Sequence, residues 1–196
     1  MARYPDAHWD GPIPNETPRA MRRPILGLVL HIEQGSEAGT DSWFHNPKAQ
    51  ASAHFGNPKQ GRLDQWVDTN DKAWAEVAGN SRWISVEHEG RSGDRLTHTQ
   101  IENDAQLLAW LHRTEGVPLQ ITDSPNRRGL GWHGMGGQAW GGHLDCPGDP
   151  IKHQRAEIIT RAKEIAGEPP PKPQHRPTTK PRRRAWLRWI NFWRHW

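Results

Sequence analysis

The sequence predicts an α/β fold: a single domain with a central mixed β-sheet flanked by helices, followed by a proline-rich linker and a basic, tryptophan-rich C-terminal tail. Two kinds of segment lead to this prediction. Short apolar runs lie between glycine, proline and asparagine residues, as is typical of strands, and two longer segments carry apolar residues at helical spacing. Because these strands and helices alternate along the chain, helices packed on a mixed sheet are favoured.

Four segments carry the pattern of strands, and they are residues 24–31, 61–67, 82–88 and the shorter run 119–121. The first ends at His31, and its length and flanking proline and glycine indicate a strand buried on both faces. Side chains alternate between the two faces of a strand, so Glu87 in the third segment should share a face with Trp83 and Ser85.

Two helices are predicted in the second half of the chain. The first begins at a capping box formed by Thr97 and Gln100 and continues until Gly116 ends it. The second begins at the Asp-Pro pair 149–150 and ends at Gly167. The apolar residues at helical spacing are Ile101, Ala105, Leu108 and Leu111 in the first helix and Ile151, Ile158, Ala162 and Ile165 in the second.

Charge is distributed unevenly along the 196 residues. The net charge is +4, but residues 168–196 hold eight Lys or Arg against one Glu, which is +7. The remaining residues hold 18 Lys or Arg against 21 Asp or Glu, which is −3. We therefore expect a globular domain over 1–167, a proline-rich linker over 168–181 and a cationic amphipathic tail over 182–196.

The tail combines arginine with tryptophan, and four of the twelve tryptophans lie in its last eleven residues. Drawn as a helix, its four tryptophans and Ile190 share one stripe, and Arg184, Arg188 and Arg194 lie largely off it. This composition is typical of segments at a membrane interface, so we expect binding to anionic membranes or anionic wall polymers. Nucleic-acid binding by charge and stacking is the alternative. The residues expected to make these contacts are Arg184, Trp186, Arg188, Trp189, Trp193 and Trp196.

Targeting and redox features are sparse. No segment reaches the roughly 18 consecutive apolar residues of a membrane span, and the first residues lack the apolar core of a secretory signal. We therefore expect synthesis in the cytoplasm and, for any action outside, release by another agent. The single cysteine, Cys146, excludes an internal disulfide, so it is a buried bystander, a nucleophile or a metal ligand.

Three residues form a candidate metal-binding set. His31 ends a predicted strand, His133 follows a Gly-Leu-Gly-Trp run, and Cys146 stands just before the last predicted helix. Two neutral imidazoles and a thiolate are good zinc ligands, and three protein ligands leave one position open, which is typical of a catalytic zinc site. Alternatively, His133 or His143 could activate Cys146 as a nucleophile.

A series of short motifs also points to a known family. In order they are Leu28–His31, Ser52–Phe55, Gly61–Val67, Asn70–Trp74, Ile84–Gly90 and Cys146–Gly148. This series, closed by Cys-Pro-Gly, resembles the type-2 N-acetylmuramoyl-L-alanine amidases, which have the peptidoglycan-recognition-protein-like fold and are common in phage endolysins. The resemblance spans roughly residues 24–165.

The resemblance implies a zinc site and a base. The family's first and third ligands correspond to His31 and Cys146, and the second corresponds to His133 or His143, of which we prefer His133. Glu87 matches the glutamate that acts on the catalytic water.

Other positions match the family less closely. Leu144 stands where many members carry a lysine or threonine that stabilises the oxyanion, so His143 is assigned a provisional catalytic role. His54 and Trp74 are expected to contact the substrate, although Ala75 stands where members often have a histidine.

The resemblance therefore implies a zinc-dependent enzyme that cleaves the amide between N-acetylmuramic acid and L-alanine in bacterial peptidoglycan and lyses the wall after release. Nothing in the sequence indicates an obligate oligomer, so we expect a monomer without an obligate protein partner. The alternatives are a module that binds peptidoglycan without cutting it and a membrane-active protein that acts through its cationic tail. Retention of Cys146 argues against the binding module, because non-catalytic members tend to lose this ligand.

Overall fold

The computed structural model describes residues 3–167. The predicted linker (168–181) and the predicted tail (182–196) lie outside the described residues. So do the residues expected to bind anionic surfaces, namely Arg184, Trp186, Arg188, Trp189, Trp193 and Trp196.

Within residues 3–167 the secondary structure alternates between strands and helices. The strands are β1 (His8–Trp9), β2 (Glu16–Thr17), β3 (Gly27–Ile32), β4 (Phe55–Asn57), β5 (Asp64–Gln65), β6 (Lys72–Ala73), β7 (Trp83–His88) and β8 (Gly129–Trp132). The α-helices are α1 (Glu37–Phe44), α2 (His98–Glu115) and α3 (Asp149–Ala166). Two 3-10 helices, the first at Val77–Gly79 and the second at His133–Trp140, complete the set.

Six of these strands form the main sheet, in the order β1-β5-β4-β7-β3-β8, and β2 pairs with β6 separately. In the main sheet β4 and β5 are antiparallel and the other neighbours are parallel. The predicted α/β fold with a central mixed sheet is therefore confirmed.

The two faces of the sheet are covered differently. On one face, α2 and α3 pack over the alternate residues of β3 and β7, which include Leu28, Leu30, Ile84 and Val86. Each of these side chains is fully buried, and such burial stabilises the fold by about 1.5–3 kcal/mol per side chain. On the other face, Val29 and Trp83 pack against Trp140 of the second 3-10 helix. His31 and Glu87 alternate with the helix-packed residues, so they belong to this second face.

The two predicted helices are confirmed, and so are the residues at which they end. Thr97 and Gln100 form the capping box of α2, and Gly116 ends it with a left-handed backbone (φ 65°). Gly167 ends α3 in the same way. None of the helices in residues 3–167 has the length and apolar character needed to cross a membrane.

Two strand predictions need correction. Only Asp64–Gln65 of the segment 61–67 forms a strand, because the backbone N–H groups of both Trp66 and Val67 turn to the carbonyl of His54. The segment 119–121 contributes only an isolated bridge from Ile121 to Leu130, and the strand at this edge is β8.

Candidate metal centre

Strand register brings the first two site residues together. β3 and β7 are parallel, and His31 is the register partner of Glu87. Their side chains lie on the same face, with His31 Nδ1 3.8 Å from Glu87 Oε1. The imidazole is buried, whereas the Glu87 side chain is 17% exposed and so reaches the cavity described below.

A glycine brings the other two ligand candidates together. His133 follows β8 directly, and the next residue, Gly134, donates its N–H to the carbonyl of Cys146 over 3.1 Å. A Cβ atom at Gly134 would meet the Leu144 carbonyl oxygen at 2.5 Å. The absence of a side chain therefore allows the segment before α3 to lie against the end of β8, which places Cys146 beside His133.

One ligand atom from each of His31, His133 and Cys146 lies within 4.8 Å of the other two. The ring centroids of the two histidines are 4.3 Å apart. His31 Nε2 lies 3.1 Å from a carboxylate oxygen of Glu76, and His133 Nε2 lies 3.0 Å from the carbonyl of Trp140. The Trp140 carbonyl can only accept, so His133 carries its proton on Nε2 and its Nδ1 is available to a metal ion. An ionised Glu76 carboxylate imposes the same arrangement on His31.

A second cluster among the described residues, formed by Asp10, Asp41 and His45, has a similar spacing. Its histidine differs in chemistry, because Nδ1 faces the carbonyl of Asp41 at 2.9 Å and Nε2 faces the carbonyl of Asp10 at 3.1 Å. Both nitrogens must donate, and these contacts raise the pKa of His45. His45 therefore has no nitrogen available to a metal ion, and the cluster is a protonated histidine beside two aspartates.

The environment of the three candidate ligands suits a cation. Burial lowers the pKa of His31 and of His133 to about 3, so both rings are neutral at physiological pH, as a ligand must be. Burial raises the pKa of the Cys146 thiol, and Glu87 adds to the rise, while a hydrogen bond from the backbone N–H of Ile32 opposes it. A bound cation has the opposite effect on Cys146, because a thiol that coordinates a metal ion loses its proton.

Glu87 lies at the edge of the same site. Burial raises the pKa of its carboxyl to about 8, and the negative charge of Glu33 adds to the rise. Its Oε2 is buried and has no hydrogen-bond partner among the described residues. A carboxyl group with a pKa near neutrality, free of strong hydrogen bonds, is suited to accept and return a proton.

A cavity of about 270 Å³ connects these groups. Its lining includes His31, Glu87, His133, His143, Cys146 and Trp74. A larger groove of about 580 Å³ between α2 and α3 contains none of these residues.

The remaining predicted residues occupy different places. His143 is exposed at the rim, with its ring centroid 4.9 Å from that of His133. Trp74 is half-buried, and its indole N–H donates to the Thr17 hydroxyl over 2.9 Å, which fixes the ring.

His54 does not reach the cavity, contrary to the expectation that it contacts substrate. Its ring is fully buried between the Ser85 hydroxyl (3.0 Å) and the carbonyl of Asp71 (3.1 Å). These contacts tie two loops to β7, which is a structural role.

Two residues lie behind the site, and the sequence motifs missed the first of them. Glu76 is fully buried and contacts His31, yet it lies in a loop without any motif. His88 donates from Nδ1 to the backbone carbonyl of His31 over 2.7 Å and contacts Asp104 of α2 through Nε2 over 2.8 Å. The buried His88–Asp104 pair therefore braces the end of β3 against α2.

Comparison with known proteins gives a consistent result. A family model described as N-acetylmuramoyl-L-alanine amidase matches residues 21–149, which include His31, Glu87, His133 and Cys146. Among curated proteins, N-acetylmuramoyl-L-alanine amidase A of Achromobacter lyticus is 41% identical over 68 residues. That match covers 34% of this chain and only 38% of the relative's length.

Solved structures show the same fold at low sequence identity. A selenomethionine derivative of AmpD has a TM-score of 0.61 at 18% identity, covering 80% of this chain and 96% of its own. The Staphylococcus aureus hydrolase AmiA in complex with its ligand has a TM-score of 0.61 at 17% identity, with 87% and 89% coverage. PlyL has a TM-score of 0.56 at 19% identity, with 80% and 96% coverage.

Proposed function

Because the chain belongs to the N-acetylmuramoyl-L-alanine amidase family, we propose that it hydrolyses the amide between N-acetylmuramic acid and L-alanine in peptidoglycan, at a zinc ion held by His31, His133 and Cys146. The observation that supports this most strongly is the gathering of these three ligand atoms within 4.8 Å of one another, on a cavity that Glu87 also lines.

The donor set fits zinc. Two neutral imidazoles and one thiolate match the nitrogen and sulfur preference of this ion, and three protein ligands leave a position open on the cavity side. When bound, zinc supplies Lewis acidity, which polarises a carbonyl group and makes water a better nucleophile at neutral pH. The residues of the chain supply the remaining steps.

Glu87 is the proposed base. Its carboxylate takes a proton from the water molecule as the oxygen attacks the amide carbonyl carbon. As the carbon–nitrogen bond breaks, the same carboxyl returns the proton to the alanine nitrogen, which leaves as an amine. The products are a muramic acid carboxylate and a peptide with a free N-terminal alanine.

His143 is the proposed helper for the negative charge on the carbonyl oxygen. It lies at the rim beside His133, so an N–H of its imidazole can donate to the oxyanion. Trp74 offers its ring face to the sugar or to the stem peptide, because it lines the cavity and is held by Thr17.

The segment 182–196 is proposed to be an anchor. Its arginines and tryptophans favour anionic membranes or wall polymers. Attached through a proline-rich linker, a second weak contact raises the local concentration of the catalytic domain at its substrate.

The experiment is a product analysis on purified peptidoglycan. We expect new N-terminal alanine without new reducing sugar, and we expect the reaction to stop on dialysis against a zinc chelator and to recover with zinc. Peptidoglycan binding without release of N-terminal alanine would instead identify a non-catalytic recognition module.

A further inference from the structure

We propose that Glu76 is a positioning residue for the metal centre: its carboxylate accepts the Nε2–H hydrogen bond of His31 and thereby presents Nδ1 to the metal ion. This inference rests on the proposed zinc site at His31, His133 and Cys146. It adds a residue from a segment in which no sequence motif indicates a function.

The geometry places His31 between two carboxyl groups. Its Nε2 lies 3.1 Å from Glu76 Oε1, and its Nδ1 lies 3.8 Å from Glu87 Oε1. The shorter contact is at the rear of the ring, where both residues are almost completely buried. A neutral imidazole has one N–H, and a carboxylate at hydrogen-bond distance holds that proton on the nitrogen it faces.

The backbone around Glu76 fixes the carboxylate in place. Asn80 accepts hydrogen bonds from the N–H groups of Ala75 (3.0 Å) and Glu76 (2.5 Å) through its Oδ1. The Glu76 carbonyl in turn accepts from the N–H of Gly79 over 2.8 Å, within the turn that forms the first 3-10 helix. The segment is therefore closed on itself by three hydrogen bonds, and the side chain of Glu76 is directed inward.

The same segment packs against the support of the other histidine. A Cβ atom at Gly79 would meet the Trp140 ring at 2.7 Å, so the two 3-10 helices touch closely at this point. Trp140 supplies the carbonyl that faces His133 Nε2. The segment Glu76–Asn80 and the end of the second 3-10 helix therefore pack as one unit. This unit supplies the hydrogen-bond partners that face Nε2 of both histidines.

The two supports differ in charge. His133 faces a neutral carbonyl, whereas His31 faces a carboxyl group whose second oxygen, Oε2, is buried without a hydrogen-bond partner among the described residues. A buried carboxylate in that position destabilises the protein unless a positive charge lies near it. A divalent cation held by His31, His133 and Cys146 would supply that positive charge.

The consequence is a measurable contribution to zinc affinity. Carboxylates that accept a proton from a ligating histidine orient the ring and raise its basicity, and their loss typically weakens metal binding about 10–100-fold. A residue with only a packing role would affect folding and leave the affinity of the folded protein unchanged.

The test compares Glu76→Gln and Glu76→Leu with Glu37→Gln in the full-length chain. Glu37 is a matched control, since its carboxylate oxygens are also buried, and it is not among the residues that line the zinc cavity. Zinc affinity is measured by competition with a chromophoric chelator, and ring nitrogen shifts of the zinc-loaded wild type are measured by ¹⁵N NMR of histidine-labelled protein.

We expect Glu76→Leu to weaken zinc binding about 10–100-fold, Glu76→Gln by up to about tenfold, and Glu37→Gln not to change it. The wild-type His31 ring should carry its proton on Nε2. The inference is overturned if both Glu76 variants bind zinc like the wild type, if Glu37→Gln is equally weakened, or if His31 carries its proton on Nδ1. Should Glu76→Leu not fold, Glu76→Gln and the wild-type ring shifts decide the matter.

These outcomes separate the inference from the proposed function. A wild-type protein that binds zinc and releases N-terminal alanine, together with Glu76 variants of unchanged affinity, overturns only the role of Glu76. A wild-type protein that binds no zinc overturns both.

Discussion

His31 and Glu87 face each other across the parallel pair of β3 and β7, with Nδ1 of the histidine 3.8 Å from a carboxylate oxygen of the glutamate. Strand register therefore sets the distance between the proposed metal ligand and the proposed base. A shift of one residue would turn one of the two side chains to the opposite face. The sheet core that fixes the register, with Leu28, Leu30 and Val86 fully buried, is thus also what aligns the site.

The first prediction concerns Glu87. In Glu87→Gln the neutral amide cannot accept the proton of the attacking water, so we expect kcat to fall by about 10²–10⁴-fold with zinc content unchanged. Metal analysis and steady-state rates on solubilised peptidoglycan check this. Glu89→Gln, which removes a carboxylate bonded to the backbone of Lys59, is the control, and near-normal activity of Glu87→Gln would exclude the residue as the base.

A second prediction separates the two histidines that compete for the second ligand position. His133→Ala should lose zinc, because His133 is one of the three residues whose ligand atoms lie within 4.8 Å of one another. His143→Ala should keep zinc and lose about 10²–10³-fold in kcat, as expected on removal of one hydrogen-bond donor to an oxyanion. Zinc content and rate are measured on the same preparations, and loss of zinc in His143→Ala with retention in His133→Ala would reverse the assignment.

The third prediction is a pH effect on stability. Burial lowers the pKa of His54 to about 4 from its ordinary value of 6.5. The unfolded chain then binds the proton at a higher pH than the folded protein, so the stability contributed by neutral His54 falls as pH drops from 6.5 towards 4. The loss is about 1.4 kcal/mol per pH unit, or about 2 kcal/mol by about pH 5.

The measurement is denaturant unfolding of the metal-free protein over this pH range, for the wild type and His54→Gln. The variant should have lower stability near neutrality and a shallower dependence on pH, because it lacks the titrating group while the other histidines are unchanged. Equal slopes would show that His54 does not titrate with a depressed pKa.

The fourth prediction concerns the tail. Replacing Trp186, Trp189, Trp193 and Trp196 with alanine should weaken binding to phosphatidylglycerol vesicles and leave the rate on small soluble peptidoglycan fragments unchanged. Apolar burial at the interface is lost, whereas the zinc site is not altered. Vesicle sedimentation gives the first quantity and release of N-terminal alanine the second. Unchanged vesicle binding would contradict the proposed anchor.

Local patterns were enough to predict much of this molecule. The capping box of Thr97 and Gln100 and the glycine after each helix define α2 and α3, because helix ends depend on neighbouring residues. Alternation along β7 placed Glu87 on the face opposite Val86, and the apolar run of β3 marked His31 as the end of a buried strand.

Residues whose roles depend on distant contacts were not predictable in this way. Glu76 meets His31 across 45 positions of sequence, and nothing in its own segment distinguishes it from a solvated loop glutamate. His54 lies in a motif that resembles the family, yet only the packing of Ser85 and Asp71 around it shows that it is buried. β4 has three residues, which is too short for any periodicity to be visible.

The central claim is tested most directly by Cys146→Ser together with Cys146→Asp, measured for bound zinc per chain and for N-terminal alanine released from peptidoglycan. Serine is a poor zinc ligand, whereas aspartate supplies an oxygen that zinc accepts. We predict about one zinc ion per wild-type chain, loss of both zinc and amide cleavage in Cys146→Ser, and partial recovery of both in Cys146→Asp. Wild-type zinc content and cleavage in Cys146→Ser would contradict the zinc amidase site.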